Sequence, residues 1–224
     1  YDVLHTHDIF TKEYGGSYLS EKKIGSEVTA STIRNVWSNY KSAMTPKDMY
    51  VQYSSGHGYQ GGLGVGVTYN EMRDFALEIP AQEVVIFTMA CYSGNLVDSF
   101  NNKRNQWENW QEQGRTLFVM ASSARNDTSS TGPGTDADEA GGPNGSAGSA
   151  YGFALWKSLL GYADGFVDGV KDGYLSLTEI EMYTKYLTKR EGGHNPVVTG
   201  TYDPDLIMNR VVPRSYLATL ENLG

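Results

Sequence analysis

The sequence predicts an α/β fold built on a mostly parallel β-sheet with helices on both faces, and three observations carry that prediction. Met49-Tyr50-Val51-Gln52-Tyr53 and the run from Glu83 to Ala90 have the length, β-branched content and aromatic content of buried strands. A helix-spaced segment lies between them, so their connection is a crossover of the parallel type. A third run, Thr116-Leu117-Phe118-Val119-Met120-Ala121, repeats the order after a helical stretch at Gln106 to Gln113. Repetition of strand and helix is the pattern of a parallel sheet covered by helices.

Taken in order, the opening Tyr1-Asp2-Val3-Leu4-His5-Thr6-His7-Asp8 has neither the basic flank nor the apolar stretch of a signal peptide. With no initiating methionine, the expectation is a processed, trimmed or incomplete chain. His5 and His7 stand two apart without a third metal ligand, so solvated or lining roles are expected for them. Thr29 caps a helix whose apolar positions are Ile33, Val36, Trp37, Tyr40 and Met44, and Thr45-Pro46-Lys47-Asp48 ends it. The Met49 strand runs into Ser54-Ser55-Gly56-His57-Gly58, and glycines at 56, 58, 61, 62, 64 and 66 read as a loop. Thr68-Tyr69-Asn70-Glu71 matches a capping box and opens a helix that Pro80 closes. Residues Asn126 to Ser149 read as a long surface loop, Ala150 to Leu160 as a helix, and Thr178 to Arg190 as another, ended by Gly192-Gly193. Without an internal repeat or a shift in composition, a single domain over residues 1–224 is expected.

Composition excludes several classes of function. Eighteen basic against 26 acidic residues give a net charge of −8, which leaves no cationic excess to release counterions from a nucleic acid. No apolar run reaches the roughly 18 to 20 residues of a membrane-spanning helix. A single cysteine, Cys91, forms no internal disulfide, so cysteine usage says nothing of compartment. The aromatic residues Phe100, Trp107, Trp110 and Trp156 are expected in a core or facing a partner rather than on a sugar platform.

The chemistry is expected beyond the carboxyl ends of the strands, where open α/β sheets bind ligands. His57 lies just past one strand end and Cys91 at the next, so one crossover brings both to the same rim. Each alone has an ordinary explanation, a loop histidine and a small buried thiol. Together, each followed closely by glycine, they point to nucleophilic catalysis. Residues Tyr92 to Phe100 offer Cys91 a helix N-terminus, whose N–H groups and dipole favour the thiolate, and those N–H groups with that of Gly58 are placed to hold an oxyanion.

Tyr53-Ser54-Ser55-Gly56-His57-Gly58 and Met89-Ala90-Cys91-Tyr92-Ser93-Gly94 resemble the histidine and cysteine motifs of the caspase-like (clan CD) cysteine peptidases, the group of caspases, metacaspases and legumain. The similarity is greatest to bacterial legumain-like and orthocaspase-like members. It extends to Glu27-Val28-Thr29, Met44 to Asp48 and Ala121-Ser122-Ser123-Ala124-Arg125, covering roughly residues 27–200.

The resemblance implies a caspase-like twisted sheet and a cysteine endopeptidase acting on peptide or protein substrates. It implies His57 as general acid and base, Cys91 as the nucleophile that forms a thioester, Gly58 and Cys91 as oxyanion donors, and no required cofactor. The same dyad would serve a transpeptidase or transamidase, and the same fold a catalytically silent, calcium-responsive binding module. Family members often carry an acid or glutamine two positions before the cysteine, where this chain has Met89. A basic substrate residue would then need Ser55, Ser123 or an acid such as Asp127, Asp136, Asp138 or Glu139, and Ser122 joins the expected substrate-binding set. The family fold also begins with a strand and helix that Tyr1 to Ser26 is too short and polar to supply. Proteolytic processing, with a fragment of the precursor completing the sheet, is one expectation; a differently built opening segment is the other.

Residues 168–179 match an EF-hand calcium loop at Asp168, Asp172, Gly173, Leu175 and Glu179, with the Tyr174 carbonyl and Ser176 also available. Val170 breaks the pattern at the third position. A glycine-rich turn capping the following helix accounts for the same residues without metal, so calcium is an allowed ligand rather than a required one. Localisation is open, with a lean toward an exported bacterial protein, secreted or periplasmic.

Overall fold

The computed structural model describes residues 2–11, 20–129 and 148–211. The chain forms two compact units, one of Lys23–Thr128 with Pro196–Asp203, the other of Tyr1–Lys22, Ser129–Asn195 and Pro204–Gly224. Most of the expected Asn126 to Ser149 loop, with Asp136, Asp138 and Glu139, lies outside the described residues.

The helices are α1 (Asp2–Thr11), α2 (Ala30–Ala43), α3 (Tyr69–Glu78), α4 (Gly94–Asn101), α5 (Ala150–Lys157) and α6 (Leu177–Gly192). The strands are β1 (Met49–Ser55), β2 (Gly58–Tyr59), β3 (Gly62–Leu63), β4 (Val67–Thr68), β5 (Glu83–Met89), β6 (Thr116–Ala121), β7 (Tyr174–Ser176), β8 (Val197–Thr201) and β9 (Ile207–Arg210).

The first unit carries a mixed, mostly parallel sheet in the order β1-β5-β6-β8. β1, β5 and β6 run parallel in unbroken register, and β8 closes the edge antiparallel to β6. The fold is thus α/β with a helix-flanked sheet, as the sequence predicts. Val84, Val85, Ile86 and Phe87 of β5 are all at most 1% exposed, so both faces of the central strand are buried and alternation is absent from its sequence. On one face Trp37 of α2 stacks on Phe75 of α3 at 5.0 Å, and Tyr50 of β1 meets the same ring edge-on at 5.4 Å. Such aromatic pairs add about 0.5–1.5 kcal/mol each beyond area burial. On the other face Phe87 packs on Phe118, and Phe118 on Tyr202. A polar chain links α2 to β1: Trp37 Nε1 and the Tyr50 hydroxyl donate to Gln52 Oε1, and Gln52 Nε2 donates to Ser54 Oγ.

Two local expectations are corrected. The glycine-rich stretch after His57 is a small antiparallel meander, β2-β3-β4, anchored by buried Leu63 and Val67. Its strands are two residues long, too short for any periodicity to show. The Gln106 to Gln113 stretch is two separate 3₁₀ turns, Arg104–Gln106 and Gln111–Gln113. Trp107 and Trp110 enter the core there, their indole N–H groups donating to the carbonyls of Phe100 and Gln106. Trp156 belongs to the other unit, where it packs on Phe153.

In that second unit α5 continues into one wide turn, Ser158–Tyr162. The Ser158 hydroxyl lies 2.8 Å from that of Thr184 on α6. β7 pairs antiparallel with β9, and Ser176 caps α6 in a reciprocal box with Glu179. The opening residues fold as helix α1, with Thr6, Ile9 and Phe10 buried.

Helix α3 begins at the expected capping box: the Thr68 hydroxyl accepts from the Glu71 N–H at 3.1 Å, and Glu71 Oε2 accepts from the Thr68 N–H at 2.9 Å. The Thr68 N–H, with help from Arg34, holds the Glu71 carboxyl below the ordinary carboxylate range. A carboxylate with a lowered folded-state pKa stabilises the fold above its unfolded value, and that contribution is lost as pH falls through the lower folded value. Thr68→Ala is expected to cost about 1 kcal/mol in denaturant unfolding. Glu71→Gln is expected to remove part of the acid dependence of the unfolding temperature, leaving a shallower decline below the carboxylate range than in the parent protein.

Candidate active site

The β1–β5 register pairs Ser55 with Met89, and the Gly56 N–H extends the ladder by donating to the Met89 carbonyl at 3.0 Å. His57 and Cys91 therefore each leave the sheet two residues beyond one registered pair, on adjacent parallel strands. His57 is exposed and Cys91 half-buried. The two segments also touch through their backbones. A Cβ on Gly58 would run into the Cys91 carbonyl oxygen and stand 2.7 Å from Ala90 Cβ and 3.2 Å from the Tyr69 hydroxyl, so only glycine lets the chain after His57 lie this close to Cys91.

The ladder fixes where the Gly58 N–H points. The Gly64 N–H donates to the His57 carbonyl at 2.8 Å, which makes residues 57 and 64 a hydrogen-bonded antiparallel pair. Pairs alternate in such a ladder, so Gly58, opposite Leu63, turns its N–H away from β3.

Cys91 sits on a turn held from several sides. Tyr92 is in the left-handed region at φ 60°, the sole described non-glycine residue with positive φ. Its N–H donates to the Asp127 carbonyl at 2.8 Å. Asn95 Nδ2 clamps the same turn, donating to the carbonyls of Tyr92 at 2.9 Å and Arg125 at 2.7 Å. Gly94 begins α4 against the segment after β6, where a Cβ would stand 2.5 Å from the Arg125 nitrogen and 2.8 Å from the Ser123 carbonyl oxygen. Below the turn, fully buried Ser93, Ser122 and Ser123 form a hydroxyl cluster. Ser93 Oγ lies 3.2 Å from Ser122 Oγ and 3.3 Å from Ser123 Oγ, and both of the latter hydroxyls donate to the Ala90 carbonyl.

These contacts refine the site expected from sequence. Ser55 and Met89 are half-buried at the sheet rim beside the His57 and Cys91 exits. Ser122 and Ser123 lie inside, holding the Cys91 turn, and face no solvent that a substrate could displace. Asp127 is exposed, but its carbonyl serves Tyr92 and its Oδ1 accepts from the Thr128 N–H at 2.9 Å. The N–H groups expected to be free at the α4 terminus are closed at Tyr92, Ser93, Asn95 and Leu96, which donate to the carbonyls of Asp127, Ala90, Tyr92 and Ser93. Sequence reasoning missed Asn95, Ser93 and Tyr69. The spacing of Asn95 four residues after Cys91, on the first turn of the following helix, was the one available signal.

In the loop where calcium is an allowed ligand, the carboxylates accept from the loop's own backbone. Asp168 Oδ1 accepts from the Val170 N–H, Asp172 Oδ1 from the Tyr174 N–H, and Glu179 from the N–H groups of Gly165 and Ser176. Buried Asp164 accepts from the N–H groups of Asp172 and Gly173. Among the described residues, no three His, Cys, Asp or Glu side chains converge as metal ligands.

In comparison with known proteins, the chain matches no family model and no curated protein. No helix among the described residues is long and apolar enough to cross a membrane.

As the sole cysteine, Cys91 gives a direct test of access. Native protein treated with iodoacetamide is expected to gain one adduct, mapped to Cys91 by peptide mass spectrometry. Protection until denaturant is added would remove Cys91 as a reactive group.

Proposed function

We propose that the protein is a cysteine endopeptidase of the caspase-like type, with Cys91 as nucleophile and His57 as general acid and base. The observation that carries the reading is the Ser55–Met89 register, which delivers His57 and Cys91 from adjacent parallel strands to one rim, with Gly58 packed on the Cys91 carbonyl. The motifs around the two residues, Tyr53 to Gly58 and Met89 to Gly94, add the resemblance to that peptidase group.

In this mechanism the Cys91 proton passes to His57, and the thiolate adds to the scissile carbonyl carbon. The carbonyl electron pair moves onto oxygen, where the Gly58 N–H, turned away from β3, and the Cys91 N–H donate to it. Collapse breaks the carbon–nitrogen bond, and the leaving amine takes the proton from His57. Water, giving its proton to His57, then attacks the thioester, and the expelled thiolate recovers that proton as the acid product leaves. Specificity falls to residues at the rim, Ser55 and Met89 among them. Peptides or proteins are the substrates, and a fragment of the chain's own precursor is a candidate partner under the autoprocessing expectation.

A fluorogenic peptide library is expected to be cleaved by the parent protein. Cys91→Ala should abolish cleavage, and His57→Ala should lower kcat/KM by about 10²- to 10⁴-fold, both with unchanged thermal unfolding. Cleavage that survives Cys91→Ala would overturn the mechanism, and a parent protein that cleaves nothing in the library would overturn the endopeptidase reading. An added amine captured into product in place of water would reassign the chain as a transpeptidase on the same dyad.

A further inference from the structure

Tyr69, the first residue of α3, is 2% exposed, and its hydroxyl has no hydrogen-bond partner. Buried polar groups are almost always paired, so an orphaned phenol asks for an explanation. The backbone around it is fixed from two sides. The Tyr69 N–H donates to the Gly61 carbonyl at 3.0 Å, and the Tyr69 carbonyl accepts from Ser99 Oγ at 3.3 Å. The Tyr69 backbone is held in place by these bonds, and its hydroxyl ends beside the backbone that carries the candidate nucleophile. The hydroxyl lies 3.2 Å from where a Gly58 Cβ would stand, the point that the Cys91 carbonyl and the Ala90 methyl also crowd.

Of these, the Ala90 methyl accepts no hydrogen bond and the Cys91 carbonyl makes none with the phenol. The side chain of Cys91, whose carbonyl crowds that point, changes acceptor strength during the proposed reaction: its sulfur is a weak acceptor as a thiol and a strong one as a thiolate.

We propose that the Tyr69 hydroxyl is the buried hydrogen-bond donor that receives the Cys91 side chain as a thiolate, making it a catalytic residue beyond the dyad. The proposal rests on reading Cys91 as the nucleophile. When the Cys91 proton passes to His57, the new sulfur lone pair accepts the Tyr69 O–H, and the phenol keeps its proton throughout. Burial first, then the negative charges of Cys91 and Tyr59, push the Tyr69 hydroxyl well above the ordinary phenol range, so it remains a donor across the working pH range. An orphan in the resting thiol state thus gains its partner at the step where a partner is useful.

The test is the pH dependence of Cys91 alkylation by iodoacetamide, which reports thiolate without needing any substrate. Tyr69→Phe is expected to raise the midpoint by about one pH unit, so that alkylation at a fixed pH below the midpoint slows about tenfold, with the same plateau rate at high pH. Site-specific replacement of Tyr69 by difluorotyrosine, nearly isosteric and a stronger donor, is expected to move the midpoint the other way. It also keeps the question answerable if the Phe variant fails to fold. Midpoints equal to that of the parent in a folded variant would overturn the proposal. Shifted midpoints in a protein that cleaves no peptide would uphold the Tyr69 role and sink only the peptidase reading.

Discussion

The in-register parallel pairing of β1 with β5 is the constraint on which the candidate site depends. Side chains alternate along a strand, so a slip of one residue would turn Tyr50, Gln52 and Ser54 to the opposite face and break the Trp37–Phe75–Tyr50 packing that fixes α2 and α3. It would also send the chain after Ser55 past a different residue of β5, separating His57 from Cys91. Packing on one face of the sheet therefore sets geometry at its edge. Because Val84 to Phe87 are buried on both faces, the register is specified twice.

At the carboxyl end of β5 the chain does something less comfortable. A tyrosine in the left-handed region costs on the order of 1–2 kcal/mol, and Tyr92 is held there by the Asp127 carbonyl while Asn95 bonds the Tyr92 and Arg125 carbonyls. The serine cluster underneath supplies fully buried polar contacts. The strain is local and the restraint comes from the segment after β6, so the turn is shaped by a neighbouring strand's exit as much as by its own sequence.

Strands β1, β5 and β6 and helices α2 and α3 were legible because their signals are local. The capping residues Thr29 and Thr68 and the apolar run of β5 each announce an element within a few residues. The rim position of His57 and Cys91 followed from one inference, that a crossover makes the strands parallel neighbours. What stayed hidden was tertiary. The β2-β3-β4 meander consists of two-residue strands in a glycine-rich stretch, where pairing is decided by what Leu63 and Val67 pack against. Edge strand β8 is half-buried throughout and carries no strong period. Ser122 and Ser123 looked like pocket residues because small hydroxyl side chains follow a strand end. Only the depth of the Ala90–Ser93 turn makes them internal. The phenol of Tyr69 carried no sequence signal beyond its place in a capping box.

The close seating of Gly94 against Ser123 to Arg125 bears on how this site tolerates change. Position 94 reads in a sequence as a flexible spot after a reactive thiol, yet its glycine is a spacer: two backbones share the volume that a methyl group would take. A substitution there would displace the start of α4, and with it the turn that carries Cys91, while leaving every side chain of the proposed chemistry intact. Mutational scans of this chain would then register a site-like sensitivity at a residue with no functional group. In such data the glycine of the Cys-x-x-Gly spacing marks a clearance between the start of α4 and the segment after β6 rather than a reactant.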